Sequence, residues 1–297
     1  PMAARAPAGP MALPRGGVLS LVRDARTCRQ LQKELEHMGG AQQLQICEEI
    51  APALLELCTH PQANYVVSKL APHPALRAPL LGALRGHVVE LMVHPQGSRV
   101  VQAVLRGLPP EGAAQLVAEL RGAVVRVAVD THGSWSAIVA YETTLAPFLL
   151  AELSAELPRV ATSANGGRVA QAVIAAAATA QLDLSGAGIA LLAADVPALA
   201  AHPYANYVVQ RALRHFGEPH RSALVAELLP RMLDLATSKH GSATAEAMLH
   251  AAGPTQLLRA AQLALSPVPP TGAPALQIML ESSYGNYVLQ AAPRPCR

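Results

Sequence analysis

Asparagine, tyrosine and glutamine recur together in this chain at one spacing. Asn206, Tyr207 and Gln210 stand inside the stretch HPYANYVVQRAL, and Asn286, Tyr287 and Gln290 repeat the arrangement further on. Asn64 and Tyr65 follow His60-Pro61, with Ser68 in the glutamine's place, and Ser98, Arg99 and Gln102 follow His94-Pro95. A phenol or a guanidinium offers a flat face for stacking. A primary amide offers a donor beside an acceptor. Together such groups can hold one planar, polar ring by its face and its edge.

The spacing has a helical meaning. With Asn206 at zero and about 100° per residue, Gln210 lies near 40° and Tyr207 near 100°. Val208, Val209 and Ala212 fall at roughly 200° to 300° on the same wheel. The expectation is a helix whose small apolar arc packs inward, while three side chains form a projecting row. One such helix would be an ordinary amphipathic segment. Repetition at a fixed pitch is what makes the row informative.

Eight sets fit the frame. The first positions are Cys28, Asn64, Ser98, Ser134, Gly167, Asn206, Ser242 and Asn286. The second are Arg29, Tyr65, Arg99, Trp135, Arg168, Tyr207, Ala243 and Tyr287. The third are Gln32, Ser68, Gln102, Ile138, Gln171, Gln210, Glu246 and Gln290. Successive first positions lie 33 to 39 residues apart, except for a last interval of 44 that contains the Pro-rich loop 266–274. A pitch near 36 suits two short helices per unit, and stacked units would form a solenoid with one continuous core. The helices preceding the sets are expected over 44–58, 80–92, 116–127, 148–160, 189–200, 224–235 and 275–280.

Four residues before each first position stand Asp24, His60, His94, Asp130, Ser163, His202, Ser238 and Ser282. Asp and Ser cap helices and make turns, and the His-Pro pairs are expected to serve the same turn. Histidines distributed one to a repeat lie too far apart for a metal site.

Composition narrows the class. Hydrophobic residues make up 51% of the 297, but aromatics only 3%, which suits close-packed helices rather than a large globular core. The 25 prolines fall largely at the ends of helical patterns. The net charge of +3 is weakly basic and excludes neither nucleic acid nor protein partners, although a non-specific coat for DNA would carry more. Cys28, Cys47, Cys58 and Cys296 form no CxxC pair, which argues against a disulfide framework or zinc ribbon and suits a reducing, cytoplasmic setting. The most apolar region, 187–201, is broken by Asp195 and Pro197, so no membrane span is expected. Residues 1–16 are read as a flexible Pro/Ala-rich segment without a secretory pattern, and 17–297 as one repeat domain. The first residue is not methionine, and the last repeat stops early, so a piece of a longer protein is expected. No nucleophile elbow, phosphate loop or HExxH motif is present, and neither an enzyme nor a cofactor is expected.

A row of regularly spaced side chains suits a linear polymer, either a peptide or single-stranded RNA. Seven of the eight second positions carry a flat group, and base stacking is worth about 1–3 kcal/mol per base. Glutamine can match the edge of uracil or adenine, whereas Glu246 offers only acceptors, which suits guanine. These types favour RNA.

The sets resemble the repeats of the Pumilio (PUF) family, over residues 17–297 and in that family's usual number of eight. The resemblance implies an all-α, right-handed, crescent-shaped solenoid that reads RNA one base per repeat, with the strand antiparallel to the protein. It implies that Cys, Ser or Gly with Arg and Gln reads adenine, Asn-Tyr with Gln reads uracil, and Ser with Glu reads guanine. Asn286, Tyr287 and Gln290 would then read the 5′ uracil, Ser242 and Glu246 guanine, Asn206, Tyr207 and Gln210 uracil, and Gly167, Arg168 and Gln171 adenine. Ser134, Trp135 and Ile138 match no assignable base. Ser98, Arg99 and Gln102 would read adenine, Asn64 and Tyr65 uracil, and Cys28, Arg29 and Gln32 the 3′ adenine. The implied target is 5′-UGUANAUA-3′.

This chain departs from the pattern at Ile138, which cannot hydrogen-bond, at Ser68, which replaces glutamine, and at Ala243, which cannot stack. The last helix is expected to end at Pro293, without a capping repeat in this sequence. The resemblance also implies a monomer that acts on mRNA 3′ untranslated regions and represses translation or promotes decay through effectors such as a deadenylase. The alternatives are an armadillo-type protein scaffold with vestigial sets, and a ribosome-biogenesis relative with relaxed base choice.

Overall fold

The computed structural model describes residues 13–270 and 272–291. Pro293, Cys296 and most of the N-terminal segment lie outside them. The described chain is all helical apart from one antiparallel pair, Pro267–Val268 with Ala273–Pro274, which closes the Pro-rich loop.

Each full repeat has three helices, not the two expected from its length. The expected helix 44–58 is divided into Gly40–Ile50, a short 3-10 turn at Ala51–Ala53, and Leu54–Thr59. The expected helix 80–92 divides into Arg77–Leu84 and Val88–Val93 around Gly86, whose φ is 79°. The other repeats break near Gly122, Pro158, Pro197 and Pro230. The apolar period continues across these points, but proline has no N–H to give the helical ladder. A left-handed glycine stops the helix outright. In the eighth repeat the first helix, Pro254–Leu265, lies upstream of Ala275–Glu281, the helix expected over 275–280.

The last helix of each repeat carries the set and is called here the triad helix. The eight are Ala25–Glu34, Asn64–Leu70, Gly97–Gly107, Gly133–Thr144, Ala164–Thr179, Ala205–His215, Ser242–Ala251 and Ser283–Ala291. The described residues fall into two compact units, 13–123 with 131–146, and 124–130 with 147–291. In the first unit, triad helices one to four pack side by side in chain order, and in the second, five to eight do the same. The apolar arc is where the wheel puts it: Val208, Val209 and Ala212 are fully buried, as are Val66, Val67, Val100 and Val101.

Adjacent repeats are also stapled by polar contacts. Glu49 accepts from the backbone N–H groups of Gly16 and Val18, both at 3.0 Å. Glu119 does the same two repeats on, from Gly86 at 2.8 Å and Val88 at 3.3 Å. A carboxylate thus caps the exposed amides at the start of a short helix in the preceding repeat, where such groups lack an intrahelical partner. The start of several triad helices lies hard against the helix before it. A Cβ at Gly166 would stand 2.4 Å from the Val160 carbonyl, and one at Gly285 2.6 Å from that of Met279.

Candidate nucleic-acid interface

The turn before seven of the eight triad helices is held by one side-chain acceptor. His60 Nδ1 accepts from the N–H groups of Gln62 and Ala63, His94 Nδ1 from Gln96 and Gly97, and His202 Nδ1 from Tyr204 and Ala205, all at 3.2 Å. Asp24 Oδ1 does the same for Arg26 and Thr27 at 3.1 and 2.9 Å. Ser163, Ser238 and Ser282 accept from Gly166, Gly241 and Gly285 at 3.3, 3.0 and 3.2 Å. The histidines are therefore caps with an unprotonated Nδ1, and each cap fixes where its first-position side chain begins.

The row does not project as a whole. The second positions do: Tyr65, Trp135, Tyr207 and Tyr287 are 43%, 52%, 51% and 71% exposed. Arg29, Arg99 and Ala243 are exposed too, and Arg168 is half-buried. The first positions are different. Cys28, Asn64, Ser98, Ser134, Gly167 and Asn206 are buried, and Ser242 and Asn286 half-buried. A wheel gives an azimuth but not what the preceding turn covers, and the capped turn folds over the helix start. Asn206 Nδ2 donates to the His202 carbonyl at 2.6 Å, and Asn64 Nδ2 to those of His60 and Pro61 at 2.7 and 3.0 Å.

The glutamines at the third positions share one orientation. Gln210 and Gln290 donate through Nε2 to Asn206 and Asn286 Oδ1, at 3.0 and 3.2 Å. Gln32 donates to Cys28 Sγ at 3.3 Å, Gln171 to the Gly167 carbonyl at 3.0 Å and Gln102 to Ser136 Oγ at 3.2 Å. Each amide keeps its Oε1 for an outside partner, and all but Gln210, whose Nε2 also lies 3.5 Å from Thr244 Oγ1, keep a second N–H as well. That acceptor beside a donor fits the edge of adenine or uracil. Gln32, Gln102, Gln171 and Gln210 are half-buried and Gln290 is exposed, while Glu246 is half-buried with acceptors alone. Ile138 is 5% exposed and belongs to the core. Ser68 and Ser134 each carry a buried hydroxyl oxygen without a hydrogen-bond partner. Burial raises the Cys28 thiol above its ordinary pKa despite the Gln32 hydrogen bond.

Within the first unit, Tyr65, Arg99 and Trp135 line one hollow of about 460 Å³ with Ser98 and Gln102. In the second, Gln210, Ala243 and Glu246 line another of about 550 Å³ beside Arg214 and Arg221. The frame read from the sequence missed Asn165, whose Oδ1 accepts from the Arg168 guanidinium at 2.7 Å, and the hydroxyls of Ser136 and Thr244. A polar residue where other repeats have valine was the available signal for the last two.

Helices packed in repeats, with exposed flat side chains and oriented amides at one pitch, define a helical-repeat protein. Solved structures share the fold. PUF-8 in complex with PBE-RNA superposes with a TM-score of 0.81 at 22% identity, over 93% of this chain and 82% of that one. The Puf4 RNA binding domain, bound to the HO endonuclease RNA 3′ UTR recognition sequence, gives 0.74 at 30% identity, over 92% and 85%. The model of the Pumilio-family RNA binding repeat matches residues 28–51, 54–67, 87–121 and 195–229. Pumilio homolog 8, chloroplastic, of Arabidopsis thaliana is 24% identical over 94% of this chain and 54% of its own length. Pumilio domain-containing protein C6G9.14 of Schizosaccharomyces pombe is 24% identical over 95% of this chain and 41% of its own. The chain belongs to the Pumilio (PUF) family of RNA-binding repeat proteins, a family of binding domains rather than enzymes. It spans about half the length of the curated relatives it matches.

Proposed function

We propose that this chain binds single-stranded RNA one base per repeat, with 5′-UGUANAUA-3′ as its preferred element. The observation that carries this is the shared orientation of the five glutamines beside exposed Tyr and Arg residues. An acceptor and a donor face outward next to a stacking group, as a base edge and a base face require. Cys28, Ser98 and Gly167 leave room for adenine, whereas Asn64, Asn206 and Asn286 add an amide for uracil. Ser242 and Glu246 take guanine. The buried Ile138 leaves the fifth base unread by hydrogen bonds, and Ser68 weakens the choice at the seventh.

The structures bearing the names Puf3 and Puf4 are bound to 3′ UTR recognition sequences. By extension, we assign this chain to mRNA 3′ untranslated regions, where recruited effectors would repress translation or promote decay. Three free, buried cysteines support a reducing compartment, which we take to be the cytoplasm.

A binding titration tests the base-by-base reading. UGUAUAUA is compared with the same oligomer carrying ACA in place of UGU. Each misread base costs about 1–3 kcal/mol, so at least a tenfold loss is expected. Equal affinity would favour the relaxed-choice relative, and absence of binding would favour the scaffold.

A further inference from the structure

In five repeats the residue two places after the first position is valine: Val66, Val100, Val169, Val208 and Val288. The fourth repeat has Ser136 there and the seventh Thr244. Both are fully buried on the apolar arc, where a hydroxyl brings no packing advantage over valine. Each reaches back to the preceding repeat. Ser136 Oγ donates to the Ser98 carbonyl and accepts from Gln102 Nε2, both at 3.2 Å. Thr244 Oγ1 lies 3.4 and 3.5 Å from the carbonyls of Ala200 and Asn206, and 3.5 Å from Gln210 Nε2.

The direction of this relay has a consequence for Gln102. A carbonyl only accepts, so the Ser136 hydroxyl hydrogen is committed to Ser98 O. The hydroxyl oxygen therefore faces Gln102 as an acceptor, and only the nitrogen end of the amide can meet it. Gln210 has a second anchor, since Asn206 Oδ1 accepts from the same nitrogen at 3.0 Å. The first position beside Gln102 is Ser98, which supplies no such amide. We infer that Ser136 is a positioning residue for the neighbouring repeat: it holds Gln102 with Oε1 outward and so, together with Ser98 and Arg99, supports adenine at the sixth base. Specificity at that base is then written in two repeats. This rests on the base-by-base reading proposed above.

The test measures dissociation constants of the wild type, Ser136→Ala and Ser136→Thr for UGUAUAUA and for versions with uracil at the fourth or the sixth base. The fourth base is the internal control, because Gln171 is held by its own Gly167 carbonyl. Losing one hydrogen bond corresponds to about a threefold to tenfold change. Ser136→Ala is expected to lose that much adenine preference at the sixth base and none at the fourth. Ser136→Thr keeps the hydroxyl and the preference. Undiminished sixth-base preference in Ser136→Ala, or equal losses at both bases, overturns the inference alone. A wild-type chain indifferent at both bases sinks the base-by-base reading and this inference with it.

Discussion

The Arg99 guanidinium donates to the Tyr65 hydroxyl at 2.9 Å, and its central carbon lies 5.8 Å from the centre of the Tyr65 ring. These are second-position residues of adjacent repeats, 34 residues apart, brought together because their triad helices pack side by side. An exposed cation–π contact is worth only about 0.5–1 kcal/mol, less than a base stack can return. A base at this step can therefore displace the contact. Tyr65→Ala and Arg99→Ala are each expected to weaken binding of UGUAUAUA by about fivefold to a hundredfold, in line with 1–3 kcal/mol per stacked base. Fluorescence anisotropy with a labelled oligomer measures this, and wild-type affinity in both variants would refute stacking here.

Glu246 is the one acidic third position, and it faces a hollow it shares with Gln210 and Ala243. Since Ala243 offers no stacking face, the proposed guanine choice rests on the carboxylate. Glu246→Gln replaces one acceptor with a donor at nearly constant shape. The expected result is a loss of about 1–3 kcal/mol of discrimination against adenine at the second base, with an unchanged circular dichroism spectrum. Guanine preference that survives the change would show that Glu246 was wrongly assigned.

His202 satisfies two amides at the start of the triad helix Ala205–His215. Loss of a helix cap typically costs about 0.5–2 kcal/mol. His202→Ala should lower stability by that amount in urea unfolding, while the Asn206 contact to the His202 carbonyl persists because it uses backbone. Equal unfolding midpoints for variant and wild type would mean that water serves the turn as well as the imidazole does.

Burial raises Cys47 to a pKa of about 11 and Cys58 to about 12. The thiolate is the reactive form, and at pH 8 both groups stay protonated as well as inaccessible. Iodoacetamide at that pH should leave both unmodified in the folded protein and alkylate both in concentrated urea, as peptide mass spectrometry would reveal. Rapid labelling of either in the folded state would contradict its place in the core.

The sequence by itself determined the repeat number, the pitch, the caps and the apolar arc. Each of these depends on residues within one helical turn or on a period that survives any packing. The breaks at Pro52, Gly86 and Pro230 were also written locally, but the apolar period ran through them and masked the third helix. Tertiary structure alone decided what touches what between repeats. It buried Asn206 and Ser98 under their own capped turns, joined Arg99 to Tyr65, and committed Gln102 to Ser136. Partners some 34 residues apart meet only once helices have stacked, and a wheel drawn for one helix carries no information about the helix beside it.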